Sequence, residues 1–119
     1  MSGRNGAIER KSFAFAVRAI NLYKFLKKDK REYIISKQLL RSGTAIGALV
    51  TEAINAESKP DFVHKLGIAQ KECGETIYWL KLLNETDFIT KSQSESMIND
   101  STELLKMIRS SIITARKNS

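Results

Sequence analysis

The chain has 119 residues, 42% hydrophobic and 28% charged, the balance of one globular domain, 1–119, with a single core. One cysteine excludes an intrachain disulfide, and no apolar run approaches the roughly 20 residues of a membrane span. The opening MSGRNGAIERKS lacks the apolar stretch of a signal peptide, so a cytoplasmic protein is expected.

The net charge of +7 is unevenly placed. Residues 1–41 carry eleven Lys/Arg against three Asp/Glu, whereas residues 42–119 carry nine against ten. Such a concentration attracts polyanions. Its plainest alternative is a solubilising surface.

Apolar spacings of three and four recur along the chain, with few β-type alternations, and predict four helices. The first spans about 9–28 and has two apolar stripes. Phe13, Val17, Ile20 and Tyr23 or Lys24 form one; Phe15, Ala19, Leu22 and Leu26 form the other. KKDKR, residues 27–31, makes the first turn, with cations suited to a helix C-terminus. The second helix spans about 32–55, with Ile35, Leu39, Ser42, Ile46, Leu49 and Ala53 facing inward. Its RSGTAIGAL segment places Gly43 and Gly47 four residues apart. Each glycine costs about 1 kcal/mol of helix stability relative to alanine, which implies close approach of a neighbouring backbone or a kink. No strand precedes the segment and no Gly-Lys-Ser/Thr follows, so it is not a phosphate-binding loop.

The third helix spans about 59–84. Ser58, Pro60 and Asp61 read as a capped start. The fourth spans about 92–116, with SQSE read as a capping box between Ser92 and Glu95, and Met97, Ser101, Leu104, Ile108, Ile112 and Ala115 as the core stripe. Short connections place successive helices side by side. The expected fold is all-α, an antiparallel up-down four-helix bundle with left-handed packing.

The third helix also has two stripes. Phe62, Leu66, Ala69, Cys73, Ile77 and Leu80 form the core face. Ile68, Glu72, Glu75, Trp79 and Leu82 lie about 100–140° away. A helix at a monomer surface does not need a second apolar stripe, so this one predicts a subunit interface or simultaneous contact with two helices. Its carboxylates require cation or hydroxyl partners, for which Arg18, Lys37 and Arg41 are candidates.

Catalytic and metal readings are weak. Cys73 has no accompanying His/Asn constellation. Di-metal bundles use paired Glu-x-x-His motifs, but His64 is the only histidine and stands in a lone Asp61-x-x-His64. Glu72 and Glu75 share one turn with no sign of a substrate cleft. No catalytic residue, metal or cofactor is expected.

Three segments carry a resemblance. RSGTAIGALVTEA (residues 41–53), SKPDFVHKLGIAQKECGETIYWLKLLNET (58–86) and FAVRAINLYKFLKK (15–28) resemble the bacterial four-helix bundle proteins encoded by intervening sequences within 23S ribosomal RNA genes, also called S23 ribosomal protein-like. The likeness covers about residues 12–115. One departure stands in helix two, where Leu49 replaces an asparagine frequent in the family. The resemblance implies a homopentameric ring with no established enzymatic activity. It extends to the pentameric accessory protein of diversity-generating retroelements, a basic barrel that binds nucleic acid and reverse transcriptase.

The expected function is therefore a non-enzymatic oligomer that binds RNA or DNA backbone. Candidate phosphate contacts are Arg10, Lys11, Arg18, Lys24, Lys27, Lys28, Lys30, Arg31, Lys37 and Arg41. The alternative is an oligomeric scaffold for a protein partner.

Overall fold

Helical periodicity accounts for nearly the whole chain. The computed structural model describes the backbone of residues 3–118 and the side chains of residues 6–118. Within it run α1 (Gly3–Lys28), α2 (Ile35–Ile54), α3 (Lys59–Glu85) and α4 (Lys91–Lys117), with no strand among the described residues. The four pack as a bundle with principal extents of 48 × 21 × 21 Å.

The helix ends differ from expectation in three places, each for a local reason. α1 begins at Gly3 instead of near residue 9, because Ile8 is buried and extends the inward stripe Ser12, Phe15, Ala19, Leu26 by another turn. α2 begins at Ile35 and not at 32, because Glu32 is spent on capping. Its carboxylate accepts from the backbone N–H groups of Ile34 (3.1 Å), Ile35 (2.9 Å) and Ser36 (2.6 Å), while Ser36 Oγ donates to the Glu32 carbonyl at 2.8 Å. Burial opposes ionisation of Glu32, but these backbone bonds together outweigh it and hold the carboxyl below its usual range.

The capping box of α4 lies one turn-fraction earlier than SQSE. Gln93 N–H donates to Thr90 Oγ1 at 3.1 Å and Thr90 N–H to Gln93 Oε1 at 2.8 Å. That start carries Ser94 inward, where its hydroxyl donates to the Leu80 carbonyl at 3.3 Å. The α3 start follows expectation, with Ser58 Oγ accepting from Asp61 N–H at 3.2 Å. Asp87 closes α3 in the left-handed region (φ 66°), and Phe88 N–H returns to the Leu83 carbonyl at 2.9 Å.

Cross-helix contacts fix the register. Gly43 faces Ala19 and Gly47 faces Ser12; Ser42 meets Thr76 and Glu52 meets Lys65; Cys73 meets Ser101 and Leu80 meets Ser94. Numbers rise on one helix as they fall on its neighbour, so consecutive helices run in opposite senses. α4 closes against α1 through Lys11–Glu103 and Arg18–Asp100.

The core is built from Phe15, Leu26, Leu39, Ile46, Leu66, Leu80, Leu83, Leu104 and Ile108, each burial worth roughly 1.5–3 kcal/mol. Small hydroxyl residues thread through it. Thr76, which the core stripe of α3 omitted, is fully buried and donates to Ser42 Oγ at 2.8 Å; Ser101 Oγ donates to the Cys73 carbonyl at 3.4 Å. Among the described residues no buried side-chain polar atom lacks a partner. Burial pushes the Cys73 thiol up to about 12, which leaves it an inert core group.

The two glycines of α2 serve close approach, not a kink. A Cβ on Gly43 would stand 2.7 Å from Ala19 Cβ, and one on Gly47 would stand 3.2 Å from the Ser12 carbonyl oxygen. Gly43→Ala should therefore destabilise the protein by a net of about 1–2 kcal/mol, despite its better helix propensity. Chemical denaturation checks this, and the double variant Gly43→Ala/Ala19→Gly, which moves the missing methyl across the interface, should recover most of the loss.

Candidate nucleic-acid interface

The positive surface is built by α1, α2 and the turn between them. Three of its ten candidate cations are neutralised inside the chain. Lys11 Nζ lies 3.1 Å from Glu103, and Arg18 donates to Asp100 at 2.6 Å and to Ser96 Oγ at 3.1 Å. Arg41 bridges α2 to α3, donating to Glu72 at 3.3 Å and to Glu75. The sequence pattern alone does not single out these partners for Lys11 and Arg18. Asp100 and Glu103, three residues apart beside the inward Ser101 and Leu104, were the available signal.

The remaining seven, Arg10, Lys24, Lys27, Lys28, Lys30, Arg31 and Lys37, are exposed, and none forms an ion pair among the described residues. Six of them cluster where α1 ends and α2 begins. Arg10 stands apart, about 21 Å from Lys24 along the helix. Asp29 is the only acidic residue between Lys24 and Arg31, and the carboxylate of Glu32 is turned onto backbone N–H groups. Exposed Glu85 and Asp87, from the end of α3, belong to the same end of the bundle.

The two carboxylates of the second α3 stripe find their partners within one chain. Ile68, Glu72, Glu75, Trp79 and Leu82 are all half-buried. Trp79 Nε1–H donates to Glu75 Oε2 at 3.1 Å, so Glu75 is held between an indole and a guanidinium. The Trp79 hydrogen bond first, and the Arg41 hydrogen bond second, lower the Glu75 pKa from its ordinary value of 4.5. Of the donors considered for these glutamates, Arg41 is the one used; Arg18 is taken by α4, and Lys37 pairs with neither. Among the described residues no group of three or more His, Cys, Asp and Glu converges as a metal site requires, and no helix is long and apolar enough to cross a membrane.

A carboxylate whose pKa is depressed by folding stabilises the fold above its unfolded pKa and loses that contribution as pH falls through the folded value. Glu75→Gln should thus lower the thermal midpoint at neutral pH. The gap between wild type and variant should close as pH drops below about 4.5. Thermal melts across a pH series check both the sign and the window.

The arrangement of helices is shared with a solved structure. The chain is similar to a crystallised protein of unknown function from the S23 ribosomal protein family of Bacteroides thetaiotaomicron VPI-5482, at 52% identity and a TM-score of 0.91, covering 92% of this chain and 97% of that one. No protein of curated function matches it. The family model for the 23S rRNA-intervening sequence protein matches residues 4–110. With nearly the whole bundle so matched, this chain belongs to the 23S rRNA-intervening sequence protein family.

Proposed function

We propose that this protein is a non-enzymatic oligomer that binds the backbone of RNA or DNA. The observation that carries the reading is the set of exposed cations at the α1–α2 end that have no carboxylate partner, Lys24, Lys27, Lys28, Lys30, Arg31 and Lys37. Internal pairing removes Lys11, Arg18 and Arg41 from the expected contacts, because a cation already held by a carboxylate gives up that bond to take a phosphate.

Binding would be mainly electrostatic, driven by release of counterions, with little reading of bases. If all six cations contact phosphate, affinity for a single strand should fall about 10²–10³-fold between about 50 and about 200 mM salt. Fluorescence anisotropy with labelled RNA and DNA measures this. Absence of binding at low salt, or binding indifferent to salt, rejects the reading. A protein partner retained through nuclease treatment and high salt would instead favour the scaffold reading.

Assembly is supported by a separate feature. Phe13, Val17 and Ile20 are 71%, 44% and 37% exposed on one stripe of α1, an arrangement that costs solubility unless it is covered. The family resemblance implies a ring of five copies, and we propose that neighbouring copies cover this stripe together with Ile68, Glu72, Glu75, Trp79 and Leu82 of α3. Light scattering should then give five times the 13.4 kDa chain mass, and Phe13→Asp should reduce that mass. A wild-type monomer at micromolar concentration would refute assembly.

A further inference from the structure

At the tip of the basic end, aromatic rings are interleaved with the cations. Tyr23, Lys24, Lys27, Lys28, Arg31 and Tyr33 line one open groove of about 750 Å³, within the size range of small-ligand sites, roughly 300–1,000 Å³. Lys27 Nζ lies 5.7 Å from the centre of the Tyr23 ring. This cation–π contact keeps the ring inside the positive field. Tyr33 is 49% exposed and has no hydrogen-bond or ring partner. About half of this large aromatic side chain is left open to solvent beside four cations.

The backbone holds this residue out. Arg31 adopts φ 53°, a conformation that costs a non-glycine residue about 1–2 kcal/mol. Glu32 N–H donates to the Leu26 carbonyl at 2.9 Å, and the Glu32 side chain caps α2 from the other side. Tyr33 therefore extends from a turn pinned at both ends, next to a guanidinium at a position where glycine would be less strained.

We infer that the groove between Tyr23 and Tyr33 is a site for single-stranded nucleic acid, with an unpaired base stacked on Tyr33 and its flanking phosphates on Lys24, Lys28 and Arg31. This rests on the nucleic-acid reading above and narrows it from backbone of any form to strands with free bases. The chemistry selects that ligand class. A ring face accepts any base, the cations accept the phosphates, and a duplex hides its base faces within the stack.

The test compares two fluorescent probes, a single-stranded oligo(U) of about 15 nucleotides and a duplex of equal length, at fixed low salt. Stacking on an aromatic is worth about 1–3 kcal/mol per base, so Tyr33→Ala should weaken oligo(U) binding about 5- to 150-fold. Tyr33→Phe should retain it, and duplex binding should change less than about twofold, since no stacking is lost there. Tyr23→Ala serves as the second variant, with the smaller loss expected of a ring already covered by Lys27. Equal loss on both probes, or no loss on oligo(U), overturns the stacking site while leaving backbone binding intact. If wild type binds neither probe, both readings fail together.

Discussion

The close approach of α1 and α2 is the constraint on which the rest of the molecule depends. Gly43 accepts Ala19 with no room for another methyl, and Gly47 lies against the Ser12 backbone. This contact merges the cations of two helices into one surface and sets the height at which α1 turns into α2. Glycine weakens a helix, so its presence at two consecutive turns of α2 means that contact between helices outweighs local propensity here. The same economy of volume recurs between α2, α3 and α4, where Ser42, Thr76, Ser94 and Ser101 replace larger apolar groups and bond to the neighbouring helix.

Given that frame, the carboxylates of α3 and α4 divide the cations into two populations. Lys11, Arg18 and Arg41 project sideways onto acidic residues of the next helix and help close the bundle. Lys24, Lys27, Lys28, Lys30, Arg31 and Lys37, around the α1–α2 turn, form no ion pair among the described residues. Glu32, the one buried acid near them, is committed to the α2 backbone. Cations that look alike in the sequence thus separate into three paired across helices and a cluster of six unpaired ones around the α1–α2 turn, with Arg10 unpaired and apart.

Much of the fold could be read from the sequence, because spacings of three and four directly encode which residues share a face. Leu39, Ser42, Ile46 and Ala53 in α2, and Leu66, Ala69, Cys73 and Leu80 in α3, are buried as their spacing predicts. Boundaries were less legible where two signals overlapped. T-x-x-Q and S-x-x-E compete at the start of α4, and the burial of Ser94 decides between them. Glu32 looked like the first residue of a helix, yet a glutamate can also cap from outside. Among candidate site residues, the need of Glu72 and Glu75 for a cation was legible, but the choice of Arg41 was not, since helix rotation and register settle it. The open ring of Tyr33 was invisible for the same reason: exposure depends on the left-handed turn at Arg31, which no local pattern announces.

On the proposed reading, internal pairing, and not sequence position, decides which cations can meet a polyanion. Two triple variants of equal charge change separate the populations: Lys24→Gln/Lys28→Gln/Lys37→Gln removes unpaired cations, and Lys11→Gln/Arg18→Gln/Arg41→Gln removes paired ones. The measurement is the salt dependence of RNA affinity for each, with a thermal melt alongside. The first should lower the salt slope by about 2 and leave the melt in place, while the second should lower the melting midpoint and keep the slope. Equal loss of slope in both variants would contradict it.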